Sequence, residues 1–213
     1  MDGLSLIKKE KIVAIARRVD VEHILDTAQA LYDGGIKLLE ITFDQSSENC
    51  ISDTTKSIEL VKELMGDKMF VGAGTVLTIE QVKAAKRAGA DFTLSPNTDI
   101  AIIKEVKNQG MICIPGALTP SEIMDAWNAG ADIVKLFPAG NFGVSYVKAI
   151  LGPISHVPLM AVGGVGANNI REFLENGFCS CGIESNIVRN DLIAAGKYAE
   201  IEQITKEFIL NIR

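Results

Sequence analysis

An amphipathic stretch that ends on a glycine and gives way at once to a short apolar run occurs five times in this chain. Gly34-Gly35 precedes the run 36–42, Gly89 with Ala90 and Asp91 precedes 92–94, and Gly110 precedes 111–114. Gly130 with Ala131 and Asp132 precedes 133–137, and Gly177 precedes 178–183. Glycine just past a helix end enters the left-handed region at no steric cost, so each junction predicts helix, cap, strand. The opposite junction is marked by Thr78 with Gln81 and by Thr119-Pro120-Ser121-Glu122, both at capping-box spacing. Apolar runs at 12–16, 69–71 and 158–162 bring the candidate strands to eight, starting about 20 to 33 residues apart. Parallel strands joined by crossover helices have this rhythm. Eight units predict an α/β fold of the (β/α)8 or TIM-barrel type, as a single domain over residues 1–213. An open doubly wound sheet would want G-x-G-x-x-G after an early strand. Gly72-Ala73-Gly74-Thr75-Val76-Leu77 supplies two of those glycines and then fails.

Composition narrows the chemistry. The 213 residues are 47% hydrophobic and 23% charged, enough to bury a large core and too apolar for disorder. A net charge of -6 speaks against nucleic acid as the main partner, and no apolar run is long enough for a membrane span. The segment 1–9 lacks the pattern of a secretory leader, so a reduced cytoplasmic setting with free thiols is expected for Cys50, Cys113, Cys179 and Cys181. Cys179-x-Cys181 lacks the second pair that a four-ligand metal site needs. There are two histidines, His23 in a helical segment and His156 in a loop before a strand. Catalytic zinc or iron usually draws on more such ligands, so no metal is expected.

Strands of a parallel barrel are buried on both faces and should read as continuous Val, Ile and Leu. Two ionisable residues break that rule. Glu40 sits in Leu38-Leu39-Glu40-Ile41-Thr42 and Lys135 in Ile133-Val134-Lys135-Leu136-Phe137. Both lie toward the carboxyl end of a strand, where barrel enzymes place their chemistry. Alternation puts Glu40 on one face with Leu38 and Thr42, and Lys135 with Ile133 and Phe137. If those faces point inward, the two side chains meet near the upper mouth. A lysine among apolar neighbours keeps more neutral amine, the form that attacks a ketone to give a Schiff base. A nearby carboxylate can shuttle protons for dehydration and carbon–carbon cleavage. The bland alternatives are a buried ion pair without a chemical role and a lysine directed outward between helices.

Two glycine-bearing loops form a second constellation. Gly163 and Gly164 follow the seventh strand, and Ser185 lies in the loop after the eighth. Loops at these ordinal positions bind phosphate in many barrels, through backbone N–H groups and hydroxyls. Arg17 closes the first strand and is either a grip for an anion or a solvated neighbour of Arg18. Thr75, Pro96 and Pro115 end strands three, four and five and double as turn formers.

Taken together and in order, these segments resemble the class I pyruvate aldolases that cleave 2-keto-3-deoxy-6-phosphogluconate (KDPG) and 4-hydroxy-2-oxoglutarate (KHG). The motifs are Leu39-Glu40-Ile41-Thr42, Gly72-Ala73-Gly74-Thr75-Val76-Leu77, Ser95-Pro96-Asn97, Ile114-Pro115-Gly116-Ala117, Val134-Lys135-Leu136-Phe137-Pro138-Ala139 and Val162-Gly163-Gly164-Val165. The resemblance implies Lys135 as the Schiff-base lysine and Glu40 as general acid/base. It implies Thr75 on the pyruvate carboxylate, Pro96 and Phe137 around the pyruvyl group, and Gly163, Gly164 and Ser185 on a sugar phosphate. It also implies a homotrimer with no metal or organic cofactor. Where many relatives carry Arg after Glu-x-Thr and an apolar residue, this chain has Asp44 after Phe43. Arg17 is the candidate replacement for that charge, and the choice between phosphorylated and short substrates stays open. Two rival readings are a metal-dependent sugar-phosphate epimerase or decarboxylase and a non-catalytic sugar-phosphate-binding barrel. The first wants metal ligands at strand ends, and the second has no need of a buried lysine.

Overall fold

The computed structural model describes residues 2–210 and Ile212. Helix α1 (Gly3–Glu10) leads into β1 (Ile12–Ala16), and a short 3-10 turn (Val21–His23) precedes α2 (Ile24–Asp33). Then come β2 (Leu38–Thr42), α3 (Cys50–Met65), β3 (Phe70–Gly74), α4 (Ile79–Arg87), β4 (Phe92–Leu94) and α5 (Ile100–Asn108). The fifth strand is in two pieces, β5 (Ile112–Ile114) and β6 (Gly116–Ala117), followed by α6 (Pro120–Asn128) and β7 (Val134–Leu136). A second 3-10 turn (Ala139–Asn141), α7 (Gly143–Ile154), β8 (Leu159–Val162), α8 (Ile170–Glu175) and β9 (Ser180–Ile183) follow, with α9 (Asn190–Ala194) and α10 (Tyr198–Leu210) closing the order.

All pairings are parallel, and the sheet runs β5-β4-β3-β2-β1-β9-β8-β7-β6. Its two ends are one strand interrupted at Pro115. Proline has no N–H to give to a ladder, so regular pairing breaks there. Its carbonyl still accepts from Lys135 N at 2.8 Å, and Cys113 O accepts from Asp132 N at 3.0 Å, which closes the ring. The structure is the expected eight-stranded barrel, with one strand counted twice.

The local signals explain the junctions. Gly35, Gly89, Gly110, Gly130 and Gly177, the five glycines read as helix terminators, all have positive φ between 70° and 107°. Both capping boxes form, with Thr78 on α4 and Thr119 on α6. Two apolar layers result. Between strands and helices lies the larger one, including Leu39, Ile41, Val71, Val134 and Leu136. Inside the barrel lies a smaller one, including Val13, Ile15, Leu38, Phe92, Leu94, Ile133 and Met160. Ile7 from α1 joins this inner layer, fully buried, and plugs the amino-terminal end of the barrel.

Candidate active site

Strand register delivers the two inward ionisable residues. Glu40 stands opposite Ile15 of β1 and Gly72 of β3; Lys135 stands opposite Gly116 of β6 and Met160 of β8. Each therefore has one glycine and one apolar residue as its strand neighbours. Glu40 is 1% exposed and Lys135 4% exposed. Burial holds the Lys135 ammonium below its ordinary pKa, opposed chiefly by the Glu40 charge. Burial likewise pushes the Glu40 carboxyl up, opposed by Lys135 and Arg17. Both neutral forms are favoured by desolvation, which outweighs the mutual attraction. The Lys135 amine lies 4.8 Å from the centre of the Phe137 ring. Glu40 Oε2 is buried without a hydrogen-bond partner. An unsatisfied buried carboxyl oxygen is costly for a fold, and one that interacts electrostatically with a buried lysine is a candidate for proton transfer. The outward-facing alternative for Lys135 does not hold.

Around this pair the mouth opens into two cavities that share Arg17. One, of about 170 Å³, is lined by Lys135, Phe137, Gly163, Gly164 and Ser185 together with Glu184 and Asn186. The other, of about 250 Å³, is lined by Thr42, Phe43, Asp44, Gln45, Ser46 and Thr75. Arg17 is thus at the mouth, partly exposed and lining one of the cavities together with Arg18. The sequence-predicted loops after β8 and β9 do converge on the lysine. Gly163 has φ 84°, and a Cβ there would approach the Phe137 ring to 3.1 Å. Thr75, just past β3, has φ 55°, and its carbonyl accepts from Gln45 Nε2 at 3.0 Å. Pro96 borders neither of these cavities. Its backbone abuts Gly116, the strand partner of Lys135, so it stands one strand away from the amine. Asp44 is engaged elsewhere: it accepts from Ser46 Oγ at 2.6 Å and pairs with Arg18 at 3.5 Å.

Some functional residues were not singled out by sequence. Gly74 is one. A Cβ at that position would fall 1.7 Å from Glu40 Oε1, so the absence of a side chain on β3 makes room for the carboxyl of β2. Thr42, buried at the end of β2, donates to Ala16 O at 3.4 Å and ties the tops of the first two strands. Glu184 is another, accepting from Arg17 Nε at 3.1 Å. The only signal for it was an acidic residue directly before Ser185 in a loop otherwise suited to anions.

A family model for KDPG and KHG aldolase matches residues 4–204. The chain belongs to that family. It is accordingly an enzyme, a carbon–carbon lyase of the aldolase type. The aldolase is 34% identical over 205 residues to the 2-dehydro-3-deoxy-phosphogluconate aldolase of Haemophilus influenzae, covering 95% of this chain and 93% of that one. It is 32% identical over 206 residues to the KHG/KDPG aldolase of Escherichia coli K12, covering 96% and 93%. A crystal structure of KDPG aldolase from Legionella pneumophila, with pyruvate captured as a covalent carbinolamine intermediate, matches with TM-score 0.87 and 27% identity over 98% of each chain. These matches support neither the metal-dependent epimerase nor the non-catalytic barrel. In the aldolase both histidines sit away from Lys135: His23 Nδ1 contacts the Tyr198 hydroxyl at 2.9 Å, and His156 packs edge-on to Trp127.

Proposed function

We propose that this aldolase works by class I chemistry, with Lys135 as nucleophile and Glu40 as the proton shuttle, on a 2-keto-4-hydroxy acid. The observation that carries the reading is a nearly fully buried amine, held below its ordinary pKa at the carboxyl end of β7, facing a protonatable carboxyl. The neutral Lys135 amine attacks the C2 ketone to give a carbinolamine. Glu40, whose protonated form is favoured by burial, gives its proton to the C2 oxygen, and water leaves to form the iminium. The resulting carboxylate takes the proton of the C4 hydroxyl as the C3–C4 bond breaks, with the electron pair drawn into the iminium. The aldehyde departs, the enamine is protonated at C3, and water releases pyruvate.

KDPG, giving glyceraldehyde 3-phosphate, is the first candidate substrate, and KHG, giving glyoxylate, is the second. The names of the relatives and the loops bearing Gly163, Gly164 and Ser185 support both assignments. Thr75 serves the pyruvate carboxylate, Arg17 supplies positive charge to a substrate anion, Phe137 and Pro96 pack around the pyruvyl group, and Gly163, Gly164 and Ser185 hold the distal end. No metal or organic cofactor takes part. A cytoplasmic homotrimer acting in Entner–Doudoroff carbohydrate breakdown completes the reading. The test is to treat the protein with pyruvate and borohydride and map the adduct by peptide mass. An adduct on Lys135 is expected. No adduct, or cleavage abolished by a chelator, rejects class I chemistry.

A further inference from the structure

The distal end of the site carries a charge that the proposed cycle leaves unused. Arg17 and Arg18 line the two rim cavities and Arg189 lines an adjoining one, and each is paired with a carboxylate. Arg17 pairs with Glu184 at 3.1 Å, Arg18 with Asp44 at 3.5 Å, and Arg189 with Asp191 at 2.7 Å. Of those carboxylates, Glu184 alone also lines the cavity that holds Lys135, Gly164 and Ser185. It directly precedes Ser185 just past β9, and its side chain is 45% exposed, hydrogen-bonded to Arg17 and within electrostatic range of Lys135 across the cavity.

A phosphate dianion seated on the Gly163, Gly164 and Ser185 loops would share this cavity with the Glu184 carboxylate. It would also have to draw Arg17 away from an existing partner. A neutral or smaller distal group meets neither obstacle. The Arg17–Glu184 pair is half exposed and therefore weak, so Arg17 can turn to a competing anion, and the Glu184 charge is then left beside that anion without its counter-ion. Resting on the aldolase reading above, we propose that Glu184 is a specificity-determining residue that lowers the preference of this site for a phosphorylated aldehyde end relative to an unphosphorylated one.

The test compares the protein with its Glu184→Gln and Glu184→Asp variants. Gln keeps the shape and removes the charge; Asp keeps the charge. Inorganic phosphate binding is measured by 31P line broadening, and kcat/KM is measured for KDPG and KHG. The Gln variant should bind phosphate about tenfold tighter or better and shift the KDPG/KHG ratio of kcat/KM upward by a similar factor. The Asp variant should stay close to the parent in both. Phosphate binding no tighter in the Gln variant, or an equal gain in the Asp variant, overturns the assignment. Trapping with pyruvate and borohydride, run on the same samples, separates the two ideas. Trapping on Lys135 without the phosphate gain sinks the role of Glu184 alone. The phosphate gain without trapping sinks class I chemistry alone.

Discussion

At the scale of single residues, the same burial that the proposed mechanism uses at Lys135 and Glu40 works against the fold. Lys135 has its folded-state pKa below the ordinary value of 10.5. The unfolded chain therefore binds more protons in the interval below 10.5, and stability rises with pH there. Replacing Lys135 with Met removes that cost. We expect Lys135→Met to lose activity by about 10³-fold or more and to gain on the order of 1 kcal/mol of stability at neutral pH. The gain should shrink as pH approaches 10.5. For Glu40 the sign reverses. Its folded-state pKa lies above the ordinary 4.5, so the folded chain holds the proton longer, and stability falls as pH rises from 4.5 through the folded value. Glu40→Gln should match the parent's melting temperature below pH 4.5 and exceed it above. Melting curves across pH check both, and a Gln variant that is less stable at neutral pH would contradict the burial argument.

At the scale of elements, the site depends on strands chosen for what they lack. In β3, Gly72 and Gly74 both face inward, and each frees space for a neighbour. A Cβ at Gly72 would fall 2.2 Å from the Phe92 ring, which stacks on Phe70 at 5.5 Å. A Cβ at Gly74 would meet the Glu40 carboxyl instead. Both Ala variants should lose about 1–3 kcal/mol by overpacking. Their activities should part company. Gly74→Ala displaces the Glu40 carboxyl, the proposed proton shuttle, and should lower kcat by about 10²-fold or more, whereas Gly72→Ala disturbs the floor of the barrel. Equal kcat values for the two folded variants would show that Gly74 is merely a packing residue.

This contrast also shows what a sequence can disclose about such an element. The helix–glycine–strand junctions were legible because a left-handed cap is a local demand, met by one residue within one turn. Lys135 and Glu40 were legible because a charge inside an apolar run is an anomaly that needs no partner to be noticed. The purpose of Gly74 was not legible, because it follows from the pairing of Thr42 with Gly74 across two strands. The Arg17–Glu184 pair joins residues 167 positions apart, and neither is unusual in its own segment. The split at Pro115 and the plug formed by α1 were hidden for the opposite reason. One is a two-residue detail of ring closure, and the other is an eight-residue helix whose burial depends on a barrel already being there.

At the scale of the whole molecule, chemistry and stability are assigned to opposite ends of the barrel, and one device builds the stable end twice. The sequence Ala-Gly-Ala-Asp occurs at 88–91 and again at 129–132. In the first copy, Asp91 Oδ2 accepts from Val71 N at 2.9 Å and from Lys62 Nζ at 2.8 Å. In the second, Asp132 Oδ2 accepts from Cys113 N at 2.8 Å and from Lys107 Nζ at 2.7 Å. Each aspartate thus sits where a strand begins, holds a backbone N–H of the preceding strand, and anchors a lysine of a helix packed outside it. These contacts lie at the amino-terminal end of the strands, away from Lys135, where barrels place residues that serve the fold. Removing Asp132 leaves the Cys113 N–H without its acceptor, and unpaired buried donors cost about 1–3 kcal/mol. For a chain of this size that corresponds to a fall in melting temperature of about 2–4 °C per kcal/mol. Asp132→Ala should show this loss while keeping kcat/KM within about twofold of the parent well below the melting temperature, since ΔΔG values at sites this far apart act independently. Asp91→Ala should behave alike. A loss of activity in either variant at a temperature where it is fully folded would mean that strain at the base of the barrel reaches the lysine, and the two-ended division would have to be abandoned.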